Sequence, residues 1–153
     1  MSISIKDARE RAMYLCSRSE KSLSDIMEKL KHWGLESESD RQKILSELLE
    51  NDFINEERYC RAYVRDKHMF NRWGRIKLRT MLRAKRISNS IIEEALDELD
   101  KDKYYEILKY ELGRKRKSLK ASNLYDLKAK LLRFGASKGY EPDLIFKAID
   151  ELK

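Results

Sequence analysis

The sequence predicts an all-α protein, three tandem three-helix repeats in an elongated, curved arrangement. Three observations carry this expectation. Apolar residues recur at spacings of three and four, as in Ala8, Ala12 and Leu15, in Leu23, Ile26 and Leu30, and in Ile145, Ile149 and Leu152. That is the period of a helix with one buried face. No stretch sustains the period-two alternation of a strand. Five glycines and one proline in 153 residues are too few for the many tight turns of a β-sandwich or barrel.

Nine helices are expected, over about 5–18, 22–33, 39–51, 55–71, 74–85, 89–100, 103–117, 122–137 and 141–152. Ser22-Leu23-Ser24-Asp25 has the spacing of a capping box. Asn55 precedes two acidic first-turn residues, which suit the positive end of the helix dipole. Ser88 and Ser122 are candidate caps, and Pro142 suits a first helical position. Gly34 and Gly139 fall where helices should stop. The break near Asp100-Lys101-Asp102 is the weakest, because the sixth and seventh helices could run together there.

The helices fall into threes, over 1–52, 53–101 and 102–153. Ile92, Leu96 and Leu99 repeat in the third set as Ile145, Ile149 and Leu152, and Ser22, Gly74 and Ser122 open the middle helices. This is repetition with a period near 50 residues.

Hydrophobic residues make up 41% of the chain and charged residues 40%, with a net charge of +7. That composition fits amphipathic helices and excludes a collagenous or low-complexity chain. The longest apolar run, Ala12 to Cys16, is far shorter than the ~20 residues of a membrane span, and no secretory signal is visible. A cytoplasmic protein is expected. Cys16 and Cys60 lack CxxC spacing and read as reduced thiols; with His32 and His68 they form no metal-site pattern. His68 reads as a surface residue. No phosphate loop, HExxH or nucleophile elbow occurs, so neither an enzyme nor a cofactor is expected.

Charge is uneven. Residues 58–86 carry net +10 and residues 108–138 net +8, whereas 36–57 and 87–107 carry −6 and −5. Arg58, Arg61, Arg65 and Arg72 share one face of the fourth helix, with Tyr59, Tyr63 and Phe70 on a core stripe beside them. Arg75, Arg79, Arg83 and Arg86 repeat the pattern on the fifth, whose apolar side is Leu78, Met81 and Leu82. Like charges at such spacing repel, and guanidinium groups suit phosphate and carboxylate, so these arginines are expected to face a polyanion. Changing Arg75, Arg79 and Arg83 together to Glu is then expected to leave folding nearly intact. Arg114, Lys115, Arg116 and Lys117 form a second cluster at a helix end. Trp73 and Phe70 flank the stripes, where packing competes with stacking on bases.

The stretch Asn51-Asp52-Phe53-Ile54-Asn55-Glu56-Glu57-Arg58-Tyr59, then Ala62-Tyr63-Val64 and Trp73-Gly74-Arg75-Ile76-Lys77-Leu78-Arg79-Thr80-Met81-Leu82, resembles the RecX regulatory proteins of bacteria. Arg18-Ser19-Glu20-Lys21-Ser22-Leu23 and Lys29-Leu30 are similar to that family's opening. Asp52 and Arg86 stand where the family pattern has glycine, which puts the left-handed turn at Arg86 in doubt. The resemblance implies binding to the RecA filament and inhibition of its recombinase, ATPase and coprotease activities, in DNA repair and the SOS response. It also implies weaker binding to single- and double-stranded DNA. Arg58, Arg61, Arg65, Arg72, Trp73, Arg75, Arg79, Arg83, Arg86 and the 114–117 cluster are the candidate contacts, and a monomer is expected. The alternative is a nucleic-acid-binding helical protein, general or sequence-specific, for which the 74–86 helix offers little beyond arginine for base readout.

Overall fold

The helical periodicity becomes nine helices in the computed structural model, which describes residues 2–152. They are α1 (Ile5–Arg18), α2 (Leu23–His32), α3 (Glu38–Glu50), α4 (Glu56–Asn71), α5 (Arg75–Ala84), α6 (Asn89–Asp97), α7 (Lys101–Ser118), α8 (Leu124–Ser137) and α9 (Pro142–Glu151). No strand occurs among the described residues.

Local chemistry sets the ends. Ser22 accepts the Asp25 N–H at 3.0 Å while its own N–H donates to the Asp25 carboxylate at 3.2 Å, a complete capping box. Asn55 accepts the Arg58 N–H at 2.9 Å. α6 and α7 are separate helices, because Asp100 takes extended backbone and caps α7 through the Lys103 N–H at 3.0 Å. Asn123, not Ser122, caps α8. It stands three residues before Asp126 and accepts that N–H at 2.8 Å, whereas the Ser122 N–H donates to the Asp126 carboxylate at 3.1 Å.

One turn recurs. Gly34, Arg86 and Gly139 each end a middle helix, with φ of +90°, +62° and +93°. The next residue, Leu35, Ile87 or Tyr140, is buried each time. The Leu35 N–H returns to the Leu30 carbonyl at 3.0 Å, and the Tyr140 N–H to the Gly135 carbonyl at 3.1 Å. The left-handed turn thus persists at Arg86 without glycine, at a cost of roughly 1–2 kcal/mol. Asp52, the other substituted glycine, has φ +62° and makes the same concession.

By compactness the chain forms two units. One takes residues up to Ala62 together with Leu82–Ile92. Its core is Ala8, Ala12, Ile26, Leu30, Ile44 and Leu48, joined by Leu35, Leu45 and Ile54. The other takes Tyr63–Met81 and Glu93 onward. Its core includes Tyr104, Leu108, Leu112, Leu131, Tyr140 and Ile145. Both thiols are free, Cys60 buried and Cys16 half-buried. Two expected core positions are wrong. Phe70 lies in the last turn of α4, where the helix runs out, and is 77% exposed; Met81 is exposed too, although Leu78 and Leu82 are fully buried.

Candidate polyanion-binding surface

The corner between α4 and α5 organises the larger unit. α4 stops because Arg72 turns left-handed, with φ +60°. A helix end leaves carbonyls without partners, and here three in a row are satisfied by side chains. Lys138 Nζ donates to the Asn71 carbonyl at 2.6 Å, the Tyr140 hydroxyl to that of Arg72 at 2.9 Å, and His68 Nδ1 to that of Trp73 at 2.8 Å. A carbonyl only accepts, so His68 carries its proton on Nδ1. His68 is therefore not the surface residue expected. It is 6% exposed, and its ring stacks on Tyr104 at 5.1 Å. Burial lowers its pKa against the pull of the Trp73 carbonyl, and Arg72 and Arg75 add to the lowering.

Beyond the corner, backbone meets backbone. The Gly74 N–H donates to the Lys138 carbonyl at 2.7 Å and the Ile76 N–H to the Gly139 carbonyl at 2.9 Å. A Cβ on Gly74 would sit 2.4 Å from the Gly139 oxygen, so only glycine fits.

Arg75 closes a ring of contacts. Its N–H donates to the buried Tyr104 hydroxyl at 2.9 Å, and that hydroxyl donates to Glu141 Oε1 at 2.5 Å. The guanidinium donates to Glu141 Oε2 at 2.7 Å and lies over the Tyr104 ring at 3.8 Å. Burial pushes the Glu141 carboxyl up, but the bonds from Tyr104 and Arg75 outweigh it and hold the group below its ordinary value. Burial and the Glu141 bond drive the Tyr104 phenol far upward, so it stays a donor.

These contacts correct the expectation that the arginine stripes stand unneutralised. Arg58 bonds Glu20 at 2.8 Å and Asp52 at 2.9 Å. Arg75 is held by Glu141, and Arg79 grips Glu93 with two bonds of 2.8 and 3.0 Å, which raise its pKa. Arg83 donates to the Asn89 side chain at 3.1 Å. Helical spacing places these side chains on shared faces, but carboxylates from outside their own helices neutralise Arg58, Arg75 and Arg79, while Arg83 meets only an amide. Among the described residues Arg61 and Arg86 are exposed without a carboxylate partner, Arg72 is half-buried without one, and Arg65 has only a long 3.4 Å contact to exposed Asp66. In the second cluster Arg114 reaches Glu111 at 3.3 Å and Lys115 lies over Phe134 at 5.2 Å, while Arg116 and Lys117 have no carboxylate partner among the described residues.

Lys67 and Lys77 are surface contributors that the sequence reading passed over. Their ammonium groups lie over the half-buried Trp73 ring at 5.4 and 4.7 Å. One signal did point to them, since no acidic residue occurs between Lys67 and Ile92.

Fold and surface together define an all-α helical-repeat protein that keeps part of its positive charge unneutralised. Comparison with known proteins gives the family. A model described as RecX, second three-helix domain, matches residues 55–96, and one described as RecX, third three-helix domain, matches residues 102–149. Regulatory protein RecX of Vibrio parahaemolyticus is 32% identical over 142 residues, 93% of this chain and 89% of that protein. The Bacillus mycoides protein of the same name is 32% identical over 111 residues, 72% of this chain and 41% of its own. A crystal structure of regulatory protein RecX superposes with a TM-score of 0.81 at 24% identity, over 96% of this chain and 72% of that one. RecX from Lactobacillus salivarius gives 0.79 at 23%, over 97% and 96%. The chain belongs to the RecX family of regulatory proteins.

Proposed function

We propose that this chain is a non-enzymatic modulator that binds the RecA–DNA filament and inhibits its ATPase, recombinase and coprotease activities, acting sterically across neighbouring subunits. The observation that carries the reading is family membership along nearly the whole chain, with relatives named as regulatory proteins. The charge pattern supports it. Arg61, Arg65, Arg72, Arg86 and Lys117 are available to phosphates or to an acidic protein wall, whereas Arg58, Arg75 and Arg79 serve the fold. The left-handed turn recurring at Gly34, Arg86 and Gly139 supports division into three helical sets at 1–52, 53–101 and 102–153. No described helix is long and apolar enough to cross a membrane.

The test is a titration of RecA's DNA-dependent ATPase on single-stranded DNA, with co-sedimentation at two salt concentrations. ATPase falls as the chain is added. Binding weakens with salt at a log–log slope of about −0.7 per neutralised phosphate if strand contacts dominate. An ATPase unchanged at molar excess of the chain refutes the proposal.

A further inference from the structure

We propose that the α4–α5 corner is a docking platform for single-stranded DNA, in which Phe70 stacks on a base while Lys67, Arg72 and Lys77 hold the flanking phosphates. The proposal rests on the polyanion reading above and gives it a chemical mode at one place. Four observations meet there. Phe70 is 77% exposed in the last turn of α4. Lys67 stands one helical turn before it, and the Trp73 N–H donates to the Lys67 carbonyl at 3.3 Å, so the three residues share one corner. The ammonium groups of Lys67 and Lys77 are gathered over the Trp73 ring and meet no carboxylate among the described residues. Arg72 holds a left-handed backbone, of the kind that collects at functional sites, and its guanidinium also lacks a carboxylate partner.

The corner does not exist to hydrate charge. Its backbone is bonded by Lys138, Tyr140 and His68 at three successive carbonyls, so the segment that carries the exposed ring and Arg72 is set before any ligand arrives. The absence of acidic residues from Lys67 to Ile92 disfavours a basic partner and favours a polyanion. An exposed aromatic ring finds a base face only where bases are unpaired, which selects a single strand over a duplex. The mode tolerates any sequence, because every base has such a face.

The test uses the full chain without RecA. Anisotropy is measured on a labelled oligothymidylate and on an abasic phosphodeoxyribose oligomer of equal length and charge. The oligothymidylate binds about 5-fold tighter or more. Phe70→Ala abolishes that preference and Phe70→Tyr keeps it, while Lys67→Gln and Lys77→Gln weaken both ligands alike. In a Trp33→Phe background the emission of Trp73, then the lone indole, changes on binding. Equal affinity for the two oligomers, a preference that survives Phe70→Ala, or silent Trp73 emission overturns the proposal. RecA ATPase measured in parallel separates the two readings. Inhibition by the unsubstituted chain without any base preference sinks the stacking mode alone, whereas no inhibition sinks the filament reading whatever the oligomers show.

Discussion

Charge reversal at Arg75 is expected to unfold the unit it belongs to. Arg75→Glu places a carboxylate where a guanidinium now bonds Glu141 at 2.7 Å and covers the Tyr104 ring at 3.8 Å. The two paired side chains are only 19% and 26% exposed. Losing one partner of a fully buried pair costs about 3–5 kcal/mol, and partial exposure brings that to about 2–3. The new carboxylate also repels Glu141. At roughly 4 Å, between an effective dielectric of 20 and that of water, repulsion adds about 1–4 kcal/mol. The sum, about 3–7 kcal/mol, rivals the ~5–15 kcal/mol that holds an ordinary domain together. Arg79→Glu, facing Glu93 at a more exposed pair, follows the same logic at about 1–3 kcal/mol. Arg61→Glu, exposed and unpaired, changes stability by no more than about 0.5 kcal/mol. The combined change at Arg75, Arg79 and Arg83 therefore reports on folding before it reports on binding, contrary to the expectation from spacing alone. Urea unfolding followed by circular dichroism measures the midpoints of the single variants. An Arg75→Glu midpoint that matches Arg61→Glu would refute the argument that Arg75 belongs to the fold.

Three further outcomes follow from the same contacts. Arg86→Gly relieves a left-handed backbone on an exposed residue and raises stability by about 0.5–1 kcal/mol, visible as a higher denaturation midpoint. Gly74→Ala drives a Cβ to within 2.4 Å of the Gly139 oxygen and lowers stability by about 2 kcal/mol or more; calorimetry should show the melting temperature falling by at least ~4 °C. Burial depresses the His68 pKa below its ordinary 6.5, so the unfolded chain takes up a proton first as pH falls. The His68 contribution is whole above about pH 6.5 and is lost as pH drops from there through the depressed native value. His68→Asn keeps a donor for the Trp73 carbonyl and flattens that part of the stability–pH curve, as urea midpoints across pH 5–8 would measure.

The helices, most of their ends and the family were readable from the amino-acid order, because each depends on residues close together in the chain. Ser22 reaches Asp25 three residues on, and Pro142 opens its own helix. The left-handed turn was legible at Gly34 and Gly139 but not at Arg86, where the missing glycine put it in doubt and the structure keeps it. The candidate surface was legible only as a set of faces. Which arginines on those faces stay unneutralised was decided by tertiary structure, since their partners arrive from afar: Glu93 lies 14 residues from Arg79, and Glu141 lies 66 from Arg75. His68 and Phe70 exchanged their expected places for the same reason. A carbonyl left over at the end of α4 drew the histidine inward, and the helix ran out before anything could cover the phenylalanine. Local spacing says which side chains share a helix face, but electrostatic pairing depends on what other helices bring within a few ångströms.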